Sequence, residues 1–332
     1  MSGPTLTAEE ATLLRDARPV GVILFRRNVT DPAQVTALTA AIRDVLGADA
    51  PILVDQEGGR VARLRPPHWP SYPAAAAFEG APATRAAAAA ALLGAECARV
   101  GLDVACAPCL DLQVPGAHGV IGDRAFSADP DEVARLGLAW VEGLMAAGIQ
   151  PVIKHVPGHG RATADSHDTL PRVTADCDTL AADLLPFATV VEQGRGRHLW
   201  AMTAHVTFDA WDALRPATLS PRIISEIIRG QIGFDGVLVC DDLQMGALAG
   251  LSNDLAADAL DAGCDLVLHC SGVLAESAAL LRTCPHLTHA AAARLHDARV
   301  AALTARIAIP PGVALLAVAP DPTARPSQVQ AA

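Results

Sequence analysis

Seven short apolar runs recur along the chain, spaced so that a helix fits between most neighbours, and no other feature restricts the fold as strongly. They are VGVILF (20–25), APILVDQEGG (50–59), LDVACAPCLDL (102–112), IQPVIKHVPG (149–158), HLWAMTAHV (198–206), GVLVCDDLQM (236–245) and CDLVLHC (264–270). Each has strand length, lacks polar alternation and ends in polar or charged residues, as a strand buried on both faces does. Helix patterns lie between them. DPAQVTALTAAIRDVLG (31–47) has Asp31 as cap, Pro32 in the first turn and Gly47 as stop. The segments 83–101, 129–148, 178–194, 219–233 and 251–263 follow the same grammar.

Strand–helix repetition implies a parallel sheet with right-handed crossovers. A (β/α)8 barrel is the first expectation and a doubly wound sheet the second. Polar residues close nearly every run: Arg27 and Asn28, Asp55 and Glu57, Asp111, Lys154 and His155, His205, Asp241 and Asp242. A barrel gathers all those ends at one mouth, whereas an open sheet gathers only those near its switch point. No GxGxxG or GxxxxGK[ST] follows a strand, so a nucleotide fold is not indicated. Seven runs are one short of a closed barrel.

Composition narrows the function classes. The 332 residues suit one large domain or two small ones, and 51% hydrophobic residues with mean hydropathy +0.30 exclude a disordered chain. A net charge of −11 without basic runs argues against nucleic acid. No apolar run is long enough to span a membrane, and the N-terminus shows no signal-peptide pattern. Eight scattered cysteines fit a reduced, cytoplasmic protein, with Cys106 and Cys109 of CAPC read as packing. The expected organisation is one catalytic domain over 1–310, then a C-terminal stub and loose tail over 311–332.

Several residues could do chemistry. Adjacent strand residues point opposite ways, so only one of Asp241 and Asp242 faces the mouth; either could be a nucleophile or base, or both could cap the turn. In VDQEGGRVARL, Asp55 beside Arg60 and Arg63 suits a polyol or forms a structural pair. Arg124 sits in the loop GVIGDRAFSADP. The stretch IKHVPGHGRATADSHD (153–168) holds three histidines. A metal site there is disfavoured, because Pro157 and Gly158 break the His155–His159 spacing. His167 could transfer a proton, since Asp165 lies two residues earlier and in extended chain points the same way, or DSHD is simply a polar loop.

GVILFRRNVTDPAQV, VDQEGGRVARL, APCLDL, IGDRAF, KHVPGHG…DSH…LP, MTAHV and TLSPRIISEIIRGQIGFDGVLVCDDLQM, in that order over about residues 5–270, resemble the bacterial β-N-acetylglucosaminidases of glycoside hydrolase family 3, the single-domain peptidoglycan-recycling type. The resemblance implies a (β/α)8 TIM-like barrel and a retaining exo-enzyme. It would remove terminal β-linked GlcNAc from peptidoglycan fragments such as GlcNAc-1,6-anhydroMurNAc peptides. It implies Asp241 as nucleophile, His167 as acid/base with Asp165 as partner, and Asp55, Arg63, Arg124, Lys154 and His155 as sugar contacts. No metal or cofactor is expected. The partner would be a small glycan or muropeptide, with no nucleic acid or membrane, and the protein a monomer or weak dimer in the cytoplasm. A histidine acid, neutral after proton transfer, would also tolerate an anionic acceptor such as phosphate. The glycines around His159 suggest a loop that moves on binding. The family's first strand precedes LTAEE, where this chain has only MSGPT, so the barrel is expected to lack or shorten that strand and to expose apolar edges. The alternatives are another family 3 β-glycosidase, or a sugar-binding barrel without turnover.

Overall fold

The structure, a computed structural model, describes residues 1–194 and 196–308; the expected C-terminal stub and tail from 311 onward lie outside them. All seven apolar runs form strands. These are β1 Val22–Leu24, β2 Ile52–Val54, β3 Val104–Ala105, β4 Gln150–Val156, β5 Trp200–Thr203, β6 Val237–Asp242 and β7 Leu266–Leu268. They pair in sequence order, and every neighbouring pair is parallel. This winding is the barrel of the first expectation, not the doubly wound sheet, which requires a reversal of strand order. Its lumen is apolar: Leu53, Val104, Cys106, Val152, Trp200, Met202, Val237 and Val239 pack inside it.

Helices wrap the outside: α1 Ala8–Ala17, α2 Pro32–Leu46, α3 Ala83–Arg99, α4 Pro130–Ala146, α5 Cys177–Gln193, α6 Leu255–Ala262 and α7 Leu274–Thr283. The cap signals act where the sequence places them. Asp31 accepts from the Gln34 N–H at the start of α2, and Gly47 ends it. The segment 219–233 departs from the expected α-helix: Ile223–Gln231 is a π-helix. Two turns of buried isoleucines do not tell i→i+4 from i→i+5 bonding, so periodicity cannot show this. A last helix, α8 His289–Ala305, crosses the bottom of the barrel, where Leu295 and Ala298 join the lumen cluster.

Among the described residues β1 and β7 are both edges. The seam between them opens a cleft of about 870 Å³, with Val22 and Ile23 on one side and Leu266 and Leu268 on the other. The expected apolar edges are therefore present. No described helix is long and apolar enough to cross a membrane.

Candidate active site

Among the described residues, the strand ends at the mouth gather buried Glu57, Asp111 and Lys154. Beyond β2 the chain makes a hairpin, Gln56–Gly58 with Val61–Ala62, turned by Gly58 and Gly59 at φ of 100° and 54°. The hairpin folds Arg63 back onto Asp55, with Nη2 2.8 Å from Oδ2. Lys154, only 2% exposed on β4, places Nζ 3.3 Å from Asp55 and 2.6 Å from Glu57. Arg124 reaches Glu57 through two N–H groups, each at 2.9 Å, the bidentate geometry that suits a guanidinium and a carboxylate. Burial alone would raise the Glu57 carboxyl, but the Lys154 and Arg124 cations outweigh it and hold its pKa at about 2. Burial would likewise lower Lys154, yet Glu57 and Asp55 keep it above its ordinary range.

Behind this network lies a second node. Asp111, fully buried beyond β3, accepts the His155 ring Nδ1–H at 2.6 Å and the His159 backbone N–H at 2.6 Å. It also accepts the His155 backbone N–H at 3.2 Å and the Cys109 thiol at 3.2 Å. With Nδ1 donating to Asp111, His155 presents Nε2 towards Arg124 at 3.4 Å and towards Asp241 Oδ2 at 4.0 Å. Burial would raise the Asp111 carboxyl, but His155 beside it holds it low.

Asp241, at the end of β6, faces this pocket. Burial opposes its charge, yet His155 and the hydrogen bond from the Asp242 backbone N–H lower its pKa, so it is an anion at neutral pH. Asp242 points away and accepts the backbone N–H groups of Gln244 and Cys270, as period-two alternation requires. His205 is held by the Thr218 hydroxyl at 2.7 Å and the Asp242 carbonyl at 3.0 Å. Burial lowers its pKa, so it stays neutral.

The loop after β4 carries Asp165 and His167. Asp165 Oδ1 accepts the His167 backbone N–H at 2.9 Å and pairs with its Nδ1 at 2.7 Å. The His167 side chain is 67% exposed, so its Nε2 side is free to meet a ligand. His159 is buried rather than a surface member of a histidine cluster, and burial with nearby His155 lowers its pKa to about 4. Gly158 and Gly160 pack closely here, against Asp183 and the Leu112 backbone.

Asp55, Arg63, Arg124, Lys154, His155 and Asp241 thus converge on one pocket, and Asp165 with His167 forms a separate pair on the loop. Glu57, Asp111 and His205 complete the site. Sequence reading marked them only as strand-end polar groups, although Glu57 at i+2 from Asp55 was a usable signal. Sγ, Oδ2 and Nδ1 of Cys109, Asp111 and His155 lie within 4.8 Å of one another. They do not fit a metal: four donors, the Cys109 thiol among them, already occupy the Asp111 oxygens. Alternating fixed carboxylates and cations instead offer acceptors and donors to a ring of hydroxyl groups.

The sequence profile described as the glycosyl hydrolase family 3 N terminal domain matches residues 3–308. The beta-hexosaminidase of Alkalilimnicola ehrlichii is 42% identical over 281 residues, covering 82% of this chain and 79% of the relative. That of Pseudomonas aeruginosa is 41% identical over 277 residues, covering 82% and 81%. The solved structure of NagZ from Neisseria gonorrhoeae, in complex with N-trifluoroacetyl-D-glucosamine, superposes with a TM-score of 0.83 at 33% identity, covering 96% of this chain and 94% of that one.

Proposed function

The chain belongs to glycosyl hydrolase family 3 and is a β-N-acetylhexosaminidase, and from that premise we propose a retaining, exo-acting enzyme that frees terminal β-linked GlcNAc from peptidoglycan fragments. The substrates are GlcNAc-1,6-anhydroMurNAc and its peptide forms. Eight unpaired thiols accord with work in a reducing cytoplasm.

In this reading Asp241 attacks the anomeric carbon while His167 protonates the departing oxygen. Water then cleaves the covalent glycosyl–enzyme, with His167 taking the proton back. Asp165 holds the imidazole in the tautomer that presents Nε2 to the leaving group and stabilises its cation. Asp55, Arg63, Arg124, Lys154 and His155 grip the sugar hydroxyls, and Glu57 fixes Arg124 and Lys154. The observation that carries the reading is Asp241, an ionised carboxylate facing the charged pocket at the end of β6.

The test is Asp241→Ala with an aryl β-N-acetylglucosaminide. Turnover is expected to vanish, and with a slowly released activated glycoside the intact mass rises by one sugar in the parent but not in the variant. Residual turnover above about a thousandth of the parent, or labelling of the variant, would remove Asp241 from the role. Comparison with the aryl β-glucoside separates this specificity from other family 3 glycosidases.

A further inference from the structure

Gly246 lies five residues beyond Asp241, at the start of a short 3-10 turn, Gly246–Leu248. Its N–H donates to the His167 carbonyl at 3.0 Å, and the N–H of Ala247 donates to the Ser166 carbonyl at 3.0 Å. The loop bearing His167 is thereby seated on the chain that follows Asp241. A Cβ at position 246 would stand 2.5 Å from the Asp168 carbonyl oxygen and 2.7 Å from that of His167. Both are backbone atoms, so no side-chain rotation relieves the clash. Gly246 does not occupy the left-handed region. The missing side chain therefore serves the close approach of the loop, not the conformation of the turn.

The seat is itself anchored. Leu243 N–H donates to the Leu268 carbonyl at 3.0 Å, and Met245 N–H to that of Asp242 at 3.1 Å. The Gln244 N–H donates to the Asp242 carboxylate at 3.1 Å. On the inner side the Ser166 hydroxyl meets buried His159 Nε2 at 3.1 Å, and the His159 backbone is bonded to Asp111. Ser166 is thus gripped by its carbonyl from one side and by its hydroxyl from the other.

We infer that Gly246 is a positioning residue for proton transfer: it lets the Ser166–His167 segment dock at a fixed place relative to Asp241. The inference rests on the reading of His167 as the acid. A displaced acid slows substrates whose leaving group needs a proton and spares those whose leaving group does not. A general loss of packing slows both alike.

The experiment compares kcat/KM of the full chain and Gly246→Ala on phenyl and dinitrophenyl β-N-acetylglucosaminides, with His167→Ala alongside. Gly246→Ala is expected to lose about tenfold or more on the phenyl substrate and under about twofold on the dinitrophenyl substrate. Equal losses, or none on the phenyl substrate, overturn the inference. Should Gly246→Ala lack a cooperative melt, Ser166→Ala is read in its place, with the same direction of leaving-group dependence expected and an unchanged ratio overturning the docking. If His167→Ala itself shows no leaving-group dependence, the acid assignment fails. If it does and Gly246→Ala does not, only the docking fails.

Discussion

Replacing Asp111 with asparagine would leave one carbonyl and one amide where the His155 ring, two backbone N–H groups and a thiol now converge. Donors would then face a donor, and the His155 ring would lose its fixed tautomer. Asp111→Asn is expected to lower kcat/KM by about 100-fold, equally for good and poor leaving groups, because the fault lies in the pocket proposed to hold the sugar and not in proton transfer. Steady-state kinetics on the two aryl substrates check this. His159 has a pH signature. Folded, its pKa is lowered to about 4, against an ordinary 6.5. Between those values the unfolded chain binds more protons, so stability falls as pH drops through the window and the loss is complete below about 4. Chemical denaturation from pH 7 to 4 should show the decline, and His159→Gln should flatten part of it. At this scale the sequence was legible where partners are neighbours. Asp165 and His167 are two apart, and extended geometry pairs them. Glu57 and Asp111 were not legible as partners, because Arg124 and His155 reach them across 67 and 44 residues.

Elements show how local signals set the scaffold. Thr288 caps α8 by accepting the Ala291 N–H at 3.1 Å, and α8 closes the bottom of the barrel. Thr288→Ala is expected to cost about 1 kcal/mol of unfolding free energy, with KM unchanged because the mouth is at the other end; urea denaturation and kinetics measure both. The Asp31 cap and the Gly47 stop were readable because Asp and Gly satisfy or end the backbone by their own chemistry. The π-helix was not, since its extra residue per turn depends on how Ile223, Ile224, Ile227 and Ile228 seat against the core.

The whole molecule combines a packed lumen with a seam that is open among the described residues. Val22 N–H bonds across to Pro51 on the β2 side, so by alternation the Ile23 N–H points to the seam. Hydrogen exchange is expected to be slow in the interior strands β4 and β5. Ile23, with no neighbour strand on its open side among the described residues, should exchange at least about 100-fold faster. Protection of Ile23 equal to that of β4 would mean that the seam is filled in solution. The mouth concentrates charge at the opposite pole from α8, and there Lys154 and Glu57 remain charged because each is the other's counter-ion.

Taken by itself, the amino-acid sequence determined the barrel, the direction of its strands and the mouth at which polar ends collect. Parallel strands covered on both faces must be apolar throughout, and their ends must change to polar where they meet solvent, so this architecture is written along the chain. Only the tertiary structure decided which charges pair. Lys154 meets Asp55 across 99 residues, a separation over which no spacing rule operates. It also decided that His159 is a buried strut and that Gly246 must lack a side chain. Each of these depends on which surfaces are brought within a few ångströms once the sheet curls, and a linear pattern carries no record of that distance.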